Sequence, residues 1–210
     1  MSPRALLAFR TVPAVLTSAA LALLLTTPGA TAAAAGPAAA TGPQAAVLSI
    51  PAIGLSGLPV VPYRGSPDDA PGTRIQDRGV ASSPQGPAGG VGPGDVGNYI
   101  VTGHRIVAGG PLRALPSLRT GASVVVTSGG VTYEYMITTT RTTSFRSPSS
   151  MAEQRAAVPG FPGAAPTRAM ITVTTCLTPE DDAAGNHWRD AQNNPEHRID
   201  KIGVLTVTTS

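Results

Sequence analysis

SVVVTSGGVTYEYMITTT, residues 123–140, holds two β-branched runs on either side of Ser128-Gly129-Gly130. A small-residue break between two such runs reads as a β-hairpin, because glycine tolerates the left-handed backbone that a tight turn between strands requires. The same pattern repeats outward from it. AVLSIPAI (46–53), LPVVPYR (58–64), NYIVTGHR (98–105), RAMITVTTC (168–176) and RIDKIGVLTVTT (198–209) are short β-branched runs punctuated by Gly and Pro. PLRALPSL (111–118) and SMAEQRAA (150–157) each suit a helical turn or two. No βα alternation appears, which argues against a doubly wound parallel sheet. The expected fold is all-β: a small closed or nearly closed barrel over residues 46–210, with short helical turns. The segment 65–97 is rich in Gly, Pro, Asp and Ser and reads as surface loops with few regular hydrogen bonds.

The first 45 residues read differently. Arg4 and Arg10 precede a nearly unbroken apolar stretch over 12–25, and Ala30-Thr31-Ala32 follows as a small-residue cleavage site. Charge, apolar run and small residues in that order mark an export segment. With Arg10 snorkelling, Leu6 to Thr26 reaches the roughly 20 residues that a membrane span needs. Residues 1–27 are thus either a cleaved signal or an uncleaved anchor. PGATAAAAGPAAATGPQA (28–45) has little to bury and reads as a flexible linker. The expected location is extracytoplasmic, held at the membrane by the N-terminal segment or secreted after its cleavage.

Charge excludes one class of partner. The formal net charge is +3, and setting aside Arg4 and Arg10 leaves 13 basic against 12 acidic groups. Nucleic-acid binding needs Lys and Arg clustered on one face; this chain has a single lysine and no basic run. GPGDVG (92–97) satisfies G-x-G-x-x-G on paper, but a strand follows it where a dinucleotide site requires a helix. Its glycines serve a turn. No G-x-S-x-G serine elbow exists, and the three histidines lack zinc-ligand spacing, so no metal or cofactor is expected. Glu180, Asp181 and Asp182 read as a solvated loop in preference to a weak cation site.

The chain has one cysteine, Cys176. An exported protein with an odd thiol carries an intermolecular bridge, a reactive group or a small buried hydrophobe. Cys176 closes the run ITVTTC and precedes a polar loop, so its backbone is held by a sheet while its side chain meets the surface. That setting suits a nucleophile. A thiol attacks as thiolate and needs a positive or proton-accepting neighbour. His104 stands at another strand end, Arg198 opens the last strand, and Arg189 lies in the intervening loop. Strand ends gather at one rim of a barrel, so Cys176, His104 and Arg198 are able to converge there.

These segments together resemble the sortase family. ITVTTC resembles its Thr-Leu-x-Thr-Cys signature, with Val173 in place of Leu. GNYIVTGHR resembles its Gly-Asn-x-x-Ile-x-Gly-His-Arg segment, ending at His104 and Arg105. GGPLRALPSLRTGASVVV is similar to its Pro-Phe-x-x-Leu-x-x-Leu-x-x-Gly-Asp stretch, with Leu112 and Ala122 replacing Phe and Asp. AVLSIPAIGLSGLPVV resembles its opening strand, and the likeness is greatest to class E. The resemblance implies a cysteine transpeptidase that cleaves a C-terminal sorting signal, of Leu-Pro-x-Thr-Gly or Leu-Ala-x-Thr-Gly type, between Thr and Gly. It implies a thioester on Cys176, proton transfer by His104, and substrate and oxyanion support by Arg198. The implied partners are exported proteins bearing the signal and an amine on a cell-wall precursor. NHWRDAQNNPEH (186–197) lengthens the loop before Arg198, which leaves Arg189 as a rival for the arginine role. The alternative is a non-catalytic secreted β-barrel binding module, a degenerate member of the family.

Overall fold

The 123–140 hairpin forms as the sequence predicts. In the computed structural model, which describes residues 44–210, strands β5 (Ser123–Ser128) and β6 (Val131–Ser144) are joined by Gly129 and Gly130. Both glycines have positive φ, 58° and 81°, the backbone of a turn whose twist matches that of the flanking strands. The expectations for residues 1–27, and for all but the end of the 28–45 linker, lie outside the described residues. Among the described residues no helix is long and apolar enough to cross a membrane.

Six more strands complete the sheet: β1 (Ala46–Ile50), β2 (Leu55–Arg64), β3 (Ala81–Gln85), β4 (Gly97–Thr102), β7 (Ala169–Cys176) and β8 (His197–Thr209). They close into a barrel in the order β1-β2-β3-β4-β7-β8-β6-β5. The pairs β2/β3 and β4/β7 run parallel, and the others are antiparallel. Two register shifts in β6 against β8 bend this long pair, as extra residues in a ladder do.

Alternation along the strands sorts side chains between two faces. Tyr99 and Val101 of β4, Ile171 and Val173 of β7, and Val124 and Val126 of β5 join one apolar core. Their neighbours on the opposite face of β4, Asn98, Ile100 and Thr102, are buried as well. Every residue of β4 is therefore out of water. The two polar residues on that face are buried with partners: Asn98 donates to the Gln154 carbonyl, and Thr102 bonds Ser82 and Gln76.

Three short helices lie between strands: α1 (Ala70–Gln76), α2 (Pro148–Arg155) and α3 (Thr178–Ala183). The region 65–97 is thus more ordered than its composition predicts, since it contains α1 and β3. Helix α1 begins at Asp69, whose carboxylate accepts from the Gly72 N–H at 2.9 Å, with Pro71 in the first turn. Strand β3 reads ASSPQ and carries no strand propensity. It forms because it pairs with β2 and because Ser82 finds buried partners in Gln76 and Thr102. The loop reading of 92–97 holds: Gly94 has φ +81°, a β-carbon there would run into the Tyr133 ring, and β4 follows directly.

Lys201, the one lysine in the chain, is buried. Its Nζ donates to the Leu118 carbonyl at 2.5 Å, the Pro116 carbonyl at 3.1 Å and the Thr140 hydroxyl at 3.2 Å. It ties the turn before β5 to β6 and β8.

Candidate active site

Strand register brings the first two elements of the site together. Cys176, the last residue of β7, lies directly opposite Arg198, the second residue of β8. Strand β4 runs parallel to β7 with Thr102 beside Thr174, so the chain after β4 emerges at the same barrel end as Cys176. Two bonds pin that exit. The Thr175 hydroxyl donates to the Gly103 carbonyl at 2.7 Å, and the Gly103 N–H donates to the Thr174 carbonyl at 3.3 Å. Glycine at 103 leaves room for the buried Leu112 side chain, which a β-carbon would approach to 2.9 Å and push aside. Leu112 in turn donates its N–H to the His104 carbonyl at 3.1 Å. Leu112 stands where the sequence comparison expects Phe, and it is fully buried.

His104 and Cys176 line one open cleft of about 320 Å³, together with Thr73, Asp77, Arg189 and Asn194. His104 Nε2 lies 2.9 Å from Asp77 Oδ1, and the histidine side chain is 13% exposed. The adjoining Arg105 makes a forked pair with Glu180, at 3.0 and 3.2 Å. Cys176 is half-buried, and its Sγ lies 3.8 Å from Asn194 Oδ1. Asn194 is held by Asp190, to which both its backbone and side-chain N–H groups donate.

The electrostatics at the thiol favour its protonated form. Burial, and after it the Asp68 carboxylate, push Cys176 up to about 12, while the Arg198 and Arg189 guanidiniums pull the other way. Without substrate, the neutral thiol therefore dominates at pH 7. Iodoacetamide should alkylate Cys176 in the free protein at least about tenfold more slowly than free cysteine at that pH, with the rate still rising past the ordinary thiol range. A titration midpoint below pH 8 would show a preformed thiolate instead. The stability sign follows. A folded-state value above the ordinary one near 9 gives a contribution that is full below that pH and is lost as pH rises toward 12. Buried Tyr99 and Tyr135 are raised chiefly by burial and act in the same direction. The melting temperature should fall across this alkaline window, and less steeply in Cys176→Ala.

Arg198 sits deeper than the sequence implied. It is fully buried and does not line the cleft. Its NH1 lies 2.5 Å from Asp68 Oδ2 and donates to Gln154 Oε1 at 3.2 Å. The guanidinium carbon stands 3.7 Å from the Phe145 ring centre, while Nε and NH2 have no partner. Asp68 accepts from Gln76 Nε2 at 2.7 Å, and Gln76 also bonds Ser82 and Thr102. Gln154 donates to Asp200 Oδ1 at 2.6 Å, and the Thr143 hydroxyl donates to Asp200 Oδ2 at 2.6 Å. A buried polar network thus runs behind Cys176 from α1 to α2.

The rival arginine is nearer the opening. Arg189 lines the cleft but is committed to its own loop, with NH2 at 2.6 Å from Asp182 and NH1 at 2.8 Å from the Trp188 carbonyl. That loop, 177–197, contains α3 and a short bridge between Arg189 and Pro195. The three carboxylates after Cys176 each have a separate partner. Glu180 takes Arg105, Asp181 takes the N–H and ring of His197, and Asp182 takes Arg189 and His187. They form no shared site, and among the described residues no group of side chains is arranged to hold a metal ion. Sequence reasoning missed Asp68, Asp77, Gln154 and Asn194. Asp68 has φ +57°, a conformation no sequence pattern announces.

A family model described as the sortase domain matches residues 48–189, a span that includes His104 and Cys176 and stops short of Arg198. No curated protein sequence matches the chain. Sortase E from Streptomyces avermitilis is 26% identical, with a TM-score of 0.55 over 78% of this chain and 88% of that one. Sortase E1 from Streptomyces coelicolor, solved with a tripeptide in its active site, is 21% identical, with a TM-score of 0.58 over 79% and 90%. The SrtA sortase of Actinomyces oris is 20% identical, with a TM-score of 0.59 over 80% and 82%.

Proposed function

The chain belongs to the sortase family of cysteine transpeptidases, and on that premise we propose that it cleaves a C-terminal sorting signal of Leu-Pro-x-Thr-Gly or Leu-Ala-x-Thr-Gly type and passes the protein to an amine. The observation that carries this reading is the opening of Cys176 and His104 into one cleft, with Arg198 across the ladder from the thiol.

The steps follow from the groups present. Once substrate fills the cleft, Cys176 Sγ passes its proton to His104 and attacks the threonine carbonyl carbon. A C–S bond forms as the Thr–Gly C–N bond breaks, and His104 gives the leaving amine its proton. An incoming primary amine then attacks the thioester. His104 accepts its proton, a new C–N bond forms, and the thiolate leaves. Arg198 supports the oxygen that carries negative charge in both transition states.

The N-terminal segment extends the proposal. Residues 1–27 anchor the enzyme at the extracytoplasmic membrane face, and the linker gives a reach of roughly 25 Å root-mean-square. Tethering enzyme and exported substrate to one surface raises their effective concentration. The acceptor is an amine of the cell-wall precursor.

Incubating the protein with fluorogenic peptides of both signal types, with and without triglycine, tests the reaction. The expected products are a peptide cut between Thr and Gly, a Thr-linked triglycine adduct, and a thioester mass on Cys176. Binding of the peptides without turnover would favour the non-catalytic module.

A further inference from the structure

Helix α1 stands between two aspartates, and each holds a cationic side chain of the site. Asp68, two residues before the helix, bonds Arg198, and Asp77, its C-terminal cap, bonds His104. We propose that α1 is the positioning element of this active site: Asp68 sets the Arg198 guanidinium and Asp77 sets the His104 imidazole. The inference rests on the transpeptidase reading and adds two residues to it.

The case for Asp68 is geometric. Its backbone is left-handed at φ +57°, which a non-glycine residue keeps only where its surroundings enforce it. Gln76 enforces it here, by bonding the Asp68 carboxylate and two further buried hydroxyls. A buried ion pair is a poor device for stability, because apolar residues of similar volume usually serve as well. What this pair fixes is orientation. Asp68 and Gln154 occupy NH1, while Nε and NH2 stay unbonded although buried. Buried N–H groups normally find partners. A guanidinium held by one end, with its remaining donors buried and unpaired on the residue across the ladder from Cys176, is set to receive an oxygen that reaches it when substrate binds.

Asp77 acts on the second group. A carboxylate only accepts, so His104 Nε2 carries the proton in this bond and Nδ1 is left to exchange a proton with substrate. Asp77 is 58% exposed, whereas Asp68 is 9% exposed, so the hold on His104 is the weaker one. The helix between them is itself fixed. Tyr63 donates to the Ser66 carbonyl at 2.6 Å, and its hydroxyl packs so close to Gly72 that a β-carbon there would lie 2.3 Å away.

A double-mutant cycle tests the claim that Asp68 acts through Arg198. Asp68→Asn preserves shape and should lower kcat at least about tenfold with KM within about threefold. In the Arg198→Gln background the same change should lower kcat less than twofold, and the double variant should melt above Arg198→Gln alone because no lone charge stays buried. Asp77→Asn should lower kcat several-fold and reduce the Nε2–H share of His104 in 15N NMR. Unchanged kcat in Asp68→Asn, or single losses that multiply in the double variant, would overturn the proposal.

A substrate-free arm keeps it testable if no sorting peptide is turned over. Asp68, Arg198, Arg189 and Asp190 are the charges acting on Cys176, and His104 shares its cleft. Asp68→Asn should move the Cys176 alkylation midpoint to lower pH, and by a different amount in the Arg198→Gln background. Equal shifts in the two backgrounds would mean that Asp68 does not act through Arg198. Peptide inactivity with unequal shifts would sink the transpeptidase reading and leave the pairing intact.

Discussion

Cys176→Ala is expected to leave the barrel folded and to take peptide cleavage to the uncatalysed level. The loss should be at least about 10⁴-fold in kcat, the scale on which removing a nucleophile acts. No second thiol exists in the chain to substitute for it. The folding cost should be small. Cys176 is half-buried, and its closest polar contact is a long one to Asn194. The backbone around it is held independently by the β7/β8 ladder. Circular dichroism and the melting temperature check the fold, and single-turnover cleavage checks the chemistry. Turnover retained in this variant would end the covalent mechanism.

Arg198→Ala and Arg189→Ala should separate cleanly. Loss of a guanidinium that supports the transition state should lower kcat at least about a hundredfold. Arg198→Ala also strands the buried Asp68 charge, at a cost of about 3 kcal/mol or more in stability. Arg198→Gln therefore belongs beside it, as a variant that keeps the bulk and a donor. Arg189 already spends its donors on Asp182 and the Trp188 carbonyl. Its removal should raise KM by a few-fold and preserve most of kcat. The opposite ranking would move the role to the cleft rim and leave the Asp68–Arg198 pair as scaffold.

The parts of this protein that were legible in sequence are those governed by short-range pattern. The 123–140 hairpin, the strand that ends at Cys176 and the strand that begins just before Arg198 all follow from β-branched runs and their glycine breaks. The surroundings of those residues were not legible. ASSPQ becomes a strand only because a distant segment pairs with it. TPEDDA, which reads as a solvated polar loop, becomes α3, and its Asp181 is buried and bonded by His197, 16 residues on. The same limit hid Asp68 and Asp77. In sequence they fall within 65–97, a stretch whose Gly, Pro, Asp and Ser content reads as surface loop. Their partners lie 130 residues away for Arg198 and 27 for His104, so only the closed barrel brings them together.

Lys201 gives the proposed chemistry one further property. An acyl-enzyme that waits for an amine is exposed to any amine its own molecule can offer. This chain has a single side-chain amine, and three oxygens at the base of β5 and β6 enclose it. With its N–H groups engaged by these oxygens and its stem buried in the barrel, it is held away from a thioester on Cys176. The fold therefore guards against self-ligation: no lysine of the enzyme competes with the acceptor, and the bound protein is not lost as a dead-end graft on its own catalyst.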